Sequence, residues 1–224
     1  MALLSPQPQP IQPLKPSGND PRLSTLPVVE TFHSLQGEGL HSGRSAFFLR
    51  LAGCTVGCSW CDTKHSWPEA QHPRLAVSEL ARQAQQARDQ GAAFVVVTGG
   101  EPLHHNLSPL CDALCGVAPL HLETSGVDPL SGHFDWITLS PKRHCPPRPE
   151  LLTACQELKV VVAEEADLIF AETLAAAVSG GSIPHLLLQP AWDNPRGMAL
   201  AIAHAKAHPA WRLSLQSHKW LGVR

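Results

Sequence analysis

The chain has no excess of charge of either sign: 17 Lys and Arg stand against 19 Asp and Glu over 224 residues, giving a net charge of −2. Such a balance leaves no electrostatic footprint for nucleic acid or for an anionic membrane surface. Long apolar runs are also missing; none approaches the roughly 20 residues that a membrane span needs. Residues 1–26 are rich in Pro, Gln and Ser and hold no apolar core of the kind a secretory signal carries. They are expected to form a mobile extension outside a single domain spanning 27–224, because 43% apolar content supports one buried core. The seven cysteines are too few and too clustered for a disulfide scaffold in a chain of this size, and a reducing cytoplasm is expected.

Three of those cysteines carry the strongest signal. Cys54, Cys58 and Cys61 lie in the run Cys-Thr-Val-Gly-Cys-Ser-Trp-Cys. A cubane [4Fe–4S] cluster has four irons and is commonly held by four cysteines, so three thiolates on one loop leave an iron open to a small molecule. A zinc knuckle would want a fourth Cys or His in a second close pair. Cys111 and Cys115, four apart on a predicted helix, could share a face and bind metal, but small buried residues of this kind more often fill a core. The remaining histidines show no ligand spacing.

The rest of the sequence alternates between strand and helix patterns. Expected strands are 47–52, 94–98, 120–124, 136–140, 158–162, 185–189 and 212–216, and expected helices are 77–88, 107–115, 166–178 and 197–208. Near-continuous apolar strands alternating with helices argue for an α/β fold with a parallel sheet. About six such β/α units fall short of the eight that close a barrel, so a partial, open TIM-like barrel is expected. Polar and glycine motifs gather at the predicted carboxyl ends of strands: Cys54, Thr98-Gly99-Gly100-Glu101, Glu123-Thr124-Ser125, Ser140-Pro141-Lys142 and Gln189. That is where open α/β folds place their chemistry. Two adjacent glycines would let backbone approach a ligand closely, and Glu101 could accept from an amine.

The cysteine spacing, with Trp60 before its last member, resembles the radical S-adenosylmethionine (SAM) superfamily. Ser34-Leu35-Gln36-Gly37-Glu38-Gly39, Phe48-Leu49-Arg50-Leu51-Ala52-Gly53-Cys54, Trp60-Cys61-Asp62-Thr63 and Gln216-Ser217-His218-Lys219, in that order, narrow the resemblance to the 7-carboxy-7-deazaguanine synthase family. The likeness runs from about Val28 to the C-terminus. It implies a lyase that contracts 6-carboxy-5,6,7,8-tetrahydropterin to 7-carboxy-7-deazaguanine with loss of ammonia. A reduced cluster would cleave SAM to a 5′-deoxyadenosyl radical, and SAM would be regenerated.

By position, the resemblance assigns Cys54, Cys58 and Cys61 to the cluster and Thr63 to Mg2+. Ser59, Trp60, Gly100, Glu123, Ser125, Ser140, Pro141, Lys142 and Gln189 fall to SAM. Leu35, Gln36, Gly37, Glu38, Arg50, Thr98, His218 and Arg224 fall to the substrate. It further implies an external flavodoxin- or ferredoxin-type electron donor and a homodimer. A glycyl-radical-enzyme activase would share the cysteine loop but gives no reason for Leu35-Gln36-Gly37-Glu38. A zinc-binding or electron-carrying module would need a complete set of protein ligands.

Overall fold

The structure, a computed structural model, describes residues 24–178 and 184–224. Its strands are β1 (Thr25–Leu35), β2 (Ser45–Leu51), β3 (Arg74–Ala76), β4 (Phe94–Gly99), β5 (Leu120–Thr124), β6 (Trp136–Leu139), β7 (Glu157–Val162), β8 (His185–Pro190) and β9 (Trp211–Leu213). Its helices are α1 (Val77–Asp89), α2 (Ser108–Leu114), α3 (Pro149–Ala154), α4 (Glu165–Ala177), α5 (Pro195–Ala207) and α6 (Ser217–Leu221). One sheet runs in the order β3-β1-β2-β4-β5-β6-β7-β8-β9. From β2 through β4 to β9 every pairing is parallel, whereas β1 and β3 join one edge antiparallel. Both edges stay open. This is the α/β, partly wound sheet expected from the sequence, and it does not close into a barrel.

Several elements depart from the sequence reading. β1 was not anticipated, because Pro27 and its polar positions break the apolar pattern. Thr25 and Leu26 already pair with β3, so the strand begins two residues inside the segment read as extension; residues 1–23 lie outside the described residues. The crossover from β5 to β6, residues 125–135, carries no helix. The strand expected to reach Gln216 stops at Leu213, and Gln216 becomes the N-cap of α6.

Side chains alternate across the sheet as a strand's two-residue period requires. Val95, Val97, Leu122, Leu139, Leu158, Val160 and Val162 face the helices and form the main core with Leu80, Leu110 and Ala171. The other face is mostly polar. Thr98, His121, Glu123, Thr138, Glu157, Lys159 and Gln189 occupy its alternate positions, and of these only Glu123 is more than slightly exposed. A small second core of Ala46, Phe48, Phe94 and Val96 fills this face at β2 and β4, and beyond it the inward-facing polar residues line a cavity.

The end of that cavity nearest the strand starts is closed by rings. Phe94 stacks on His121 at 4.1 Å, and His41 packs edge-on against Trp136 at 4.4 Å. Burial depresses the His121 pKa to about 3, with the neighbouring His41 and Arg44 adding to the shift and Asp135 opposing it. The unfolded chain therefore takes up a proton near pH 6.5 that the folded chain refuses until about pH 3. Stability present above pH 6.5 is lost as pH falls through that window. At pH 5 this group should cost at most about 2 kcal/mol. Thermal midpoints at pH 7.5 and 5 should differ more in the wild type than in His121→Phe; equal differences would remove the assignment.

Candidate active site

The cysteine loop leaves the end of β2 and lies over the end of β4. Two backbone bonds tie these ends together: Gly100 N donates to Leu51 O at 2.9 Å and Glu101 N to Gly53 O at 2.8 Å. Gly53 N and Cys54 N in turn donate to Ser66 O and Trp67 O. A Cβ on Gly99 would fall 2.1 Å from Leu51 O, and one on Gly100 2.3 Å from Gly53 O. The glycine pair thus serves a close approach of backbone to backbone, which seats the cysteines.

Cys58 is buried, and Cys54 and Cys61 are half-buried. Burial pushes the Cys54 and Cys58 thiols up, although Lys142 pulls Cys58 back. Only a strongly Lewis-acidic centre would ionise such thiols at neutral pH, and iron ligation does so outright. Among the described residues, the three sulfurs are not gathered within 4.8 Å as ligands of a single ion would be. That wider spread suits separate irons of one cluster better than a mononuclear zinc.

Above the loop is a cavity of about 180 Å³ lined by the three cysteines, Trp60, Gly100, Glu123, Ser125, Ser140 and Lys142. Lys142 is fixed there: its Nζ donates to Ser140 O at 2.7 Å and Ser140 Oγ at 2.8 Å, and it lies 5.2 Å from the centre of the Trp60 ring. Burial lowers its pKa. Gln189 borders an adjoining cavity of about 160 Å³ shared with Trp60, Ser140 and Lys142. Ser59 and Pro141 face an outer cavity of about 600 Å³ on the far side of Trp60 and Lys142.

Glu101 departs from the sequence expectation. It is 1% exposed and accepts from Leu103 N, Thr124 Oγ1, Ser125 N and Ser125 Oγ. Four donors fill both oxygens, so it ties the ends of β4 and β5 together and has no acceptor capacity left for an amine.

A second cavity, about 430 Å³, adjoins the first. Leu35, Gln36, Gly37, Glu38, Arg50, Thr63, Thr98, His218 and Arg224 line it, and Glu123, Thr98 and Thr63 border both. In the dividing wall Glu123 accepts from Gln36 Nε2 and Thr98 Oγ1, each at 2.9 Å. Arg50 Nε donates to Glu30 at 3.1 Å, and Arg224 reaches the other oxygen of Glu30 at 3.2 Å. Six of the nine residues assigned by resemblance to SAM line the cavity above the cysteines and all eight assigned to substrate line the adjoining one, whereas Gln189, Ser59 and Pro141 lie in the two flanking cavities.

Gly37 allows His218 into the lining of the second cavity, since a Cβ would sit 2.1 Å from His218 Nδ1. Ser217 N and Oγ both donate to Gly37 O, docking α6 onto the same loop. Lys219 Nζ bonds Asp62 at 2.6 Å, which links α6 to the cysteine loop.

Three polar residues were missed. Lys159, 4% exposed on β7, pairs with Glu38 between the two cavities, and Gln216 Nε2 donates to Glu38 at 2.9 Å. Burial would raise the Glu38 pKa, but the Lys159 charge and hydrogen bond outweigh it and hold the carboxyl at about 2. Burial works against the Lys159 charge, yet Glu38, Glu123 and Glu157 together push its pKa up. Glu157 accepts from Leu40 N while its Oε1 is buried without a partner, and burial raises its pKa. Glu30, the third, clasps both arginines. The only sequence signal was the period: Glu157 and Lys159 occupy alternate positions on a strand whose other residues are apolar.

Cys111 and Cys115 do not share a site. Cys111 is buried and Cys115 is exposed at the end of α2.

Residues 49–141 match the model of the radical SAM superfamily. A 7-carboxy-7-deazaguanine synthase of Prochlorococcus marinus is 53% identical, with 88% of this chain and 98% of that protein covered. The protein of the same name from Escherichia coli is 33% identical over the same shares. The crystal structure of QueE from Escherichia coli superposes with a TM-score of 0.76 at 32% identity, covering 87% of this chain and 95% of that one. Cysteine loop, fold and whole-length similarity agree: the chain belongs to the 7-carboxy-7-deazaguanine synthase family of radical SAM enzymes.

Proposed function

We propose that the chain converts 6-carboxy-5,6,7,8-tetrahydropterin to 7-carboxy-7-deazaguanine and ammonia, with SAM used catalytically and with Mg2+. The observation that supports this reading is the wall of Glu123 and Thr98 shared by a cavity of about 430 Å³ and the one above the cysteines. Bound there, the cluster and SAM would supply reductive radical chemistry able to remove a substrate hydrogen.

The chain's own residues do the rest. Cys54, Cys58 and Cys61 would hold the cluster. Trp60, Gly100, Glu123, Ser125, Ser140, Lys142 and Gln189 hold SAM, with Ser59 and Pro141 shaping its outer rim. Arg50 keeps Glu30 on Nε and offers its remaining N–H groups to the substrate carboxylate as a fork. Gln36, Glu38 and Thr98, with backbone groups of Leu35 and Gly37, read the flat donor–acceptor edge of the pterin. His218 and Arg224 close the far side. Restricting access of water protects a reactive intermediate from quenching.

Thr63 offers its hydroxyl for Mg2+, which favours oxygen ligands and keeps several waters. Thr63→Val should therefore weaken or abolish the stimulation of turnover by Mg2+; an unchanged Mg2+ titration would remove the assignment. The catalytic unit is the folded domain, working in the cytoplasm as a homodimer with an external flavodoxin- or ferredoxin-type donor. Among the described residues, no helix is long and apolar enough to cross a membrane.

The test is anaerobic. Protein reconstituted with iron and sulfide is given SAM, reductant, Mg2+ and the pterin, and 7-carboxy-7-deazaguanine is sought by mass spectrometry. Product from the small pterin alone supports the reading. SAM cleavage without any deazapurine would retain the superfamily chemistry and overturn the substrate.

A further inference from the structure

The sequence reading found no ligand spacing among the remaining histidines. The structure corrects this for one pair. His204 lies in the last turn of α5 and His208 is its C-cap, so the two rings stack at 4.1 Å on one side of the helix end. Glu172 of α4 faces them. His204 Nε2 lies 2.7 Å from Glu172 Oε1, and His208 Nδ1 lies 4.0 Å from the same oxygen. Ligand atoms of all three residues fall within 4.8 Å of one another, the only such group of His, Cys, Asp and Glu among the described residues.

We propose that Glu172, His204 and His208 form a surface site for a borderline divalent cation, zinc, which staples α4 to the end of α5. Two imidazoles and a carboxylate suit zinc, with water completing a tetrahedron. Bonds of about 2.0–2.1 Å would bring ligand atoms to roughly 3.3 Å apart. His208 is half-exposed at a helix terminus and can turn through the remaining distance.

The surroundings are also those of a ligand set. Trp211 Nε1 donates to Glu172 Oε1 at 2.9 Å, a support that orients the carboxylate. Trp211 is buried and packs edge-on against the His204 ring at 6.1 Å, which limits that ring's motion. The backbone fixes the helix end: His208 N donates to His204 O, and Trp211 N to His208 O, each at 2.9 Å. None of these residues borders the two cavities of the candidate active site. The proposal therefore stands apart from the assigned reaction.

The test uses anaerobic, cluster-loaded protein titrated with zinc chloride by calorimetry, with cluster absorbance followed in parallel. The wild type should take up about one equivalent without bleaching the cluster. His208→Ala should bind at least roughly tenfold more weakly, with its cluster intact. Trp211→Phe, which keeps the packing but not the donor, should also bind roughly tenfold more weakly. Zinc-edge absorption should show only nitrogen and oxygen at about 2.0–2.1 Å. Sulfur at about 2.3 Å would place the zinc on cysteines and overturn the site. So would equal zinc affinity in wild type and His208→Ala, or no uptake by the wild type.

Discussion

Lys159→Met should be the most damaging single substitution in the cavity outside the cluster ligands. It removes the buried cation that faces Glu38, Glu123 and Glu157 and leaves their carboxylates only neutral hydrogen-bond donors beside them. Breaking a buried pair by removing one partner costs about 3–5 kcal/mol, because the other charge stays desolvated. For a chain of this length that corresponds to a fall of about 10 °C in thermal midpoint.

The expected effect on turnover is separate and has its own signature. Without Lys159, burial would push the Glu38 carboxyl up from about 2 toward neutrality. The acid limb of the pH–rate profile should then move upward by at least about one pH unit. Glu38 keeps its stabilising charge above the ordinary carboxylate range in the wild type and loses it only as pH falls toward 2. Lys159→Met/Glu38→Gln should recover part of the lost stability but not the activity, since the pair is removed together. A Lys159→Met enzyme with an unchanged pH profile would reduce Lys159 to packing alone.

Cys58→Ala should abolish turnover entirely. Three thiolates are the minimum that leaves one iron open, and the loop holds no further cysteine. Reconstituted Cys58→Ala should lack cluster absorbance and form no product, while its far-UV spectrum stays that of the wild type. Cys155→Ala is the matched control. Cys155 is 3% exposed and burial pushes its thiol up to about 12, as befits a core residue. It should keep the cluster at a modest cost in stability. Full cluster absorbance in Cys58→Ala would contradict the ligand assignment.

What could be read from the sequence depended on whether the signal was local. The cysteine loop, the glycine pair and the motifs at strand ends are short contiguous runs, and the structure brings them to one side of the sheet. Glu101 was misread because its partners Thr124 and Ser125 sit on the next strand, where no local pattern announces them. Lys159 was missed for the same reason: its partner Glu38 is 121 residues away. β1 escaped notice because one of its faces serves the cavity; Glu30 and Phe32 border it and break the apolar pattern. α6 is only five residues long and is held by tertiary bonds to Gly37 and Asp62, so periodicity could not reveal it.

The most direct measurement of the central claim is the ratio of product to SAM consumed. Reconstituted protein would be supplied with an excess of 6-carboxy-tetrahydropterin over SAM, and 7-carboxy-7-deazaguanine and 5′-deoxyadenosine would be counted together. Many products per SAM, with little deoxyadenosine released, is the result expected of a pterin held against a SAM that is regenerated in place. Deoxyadenosine released in step with each product would contradict that account.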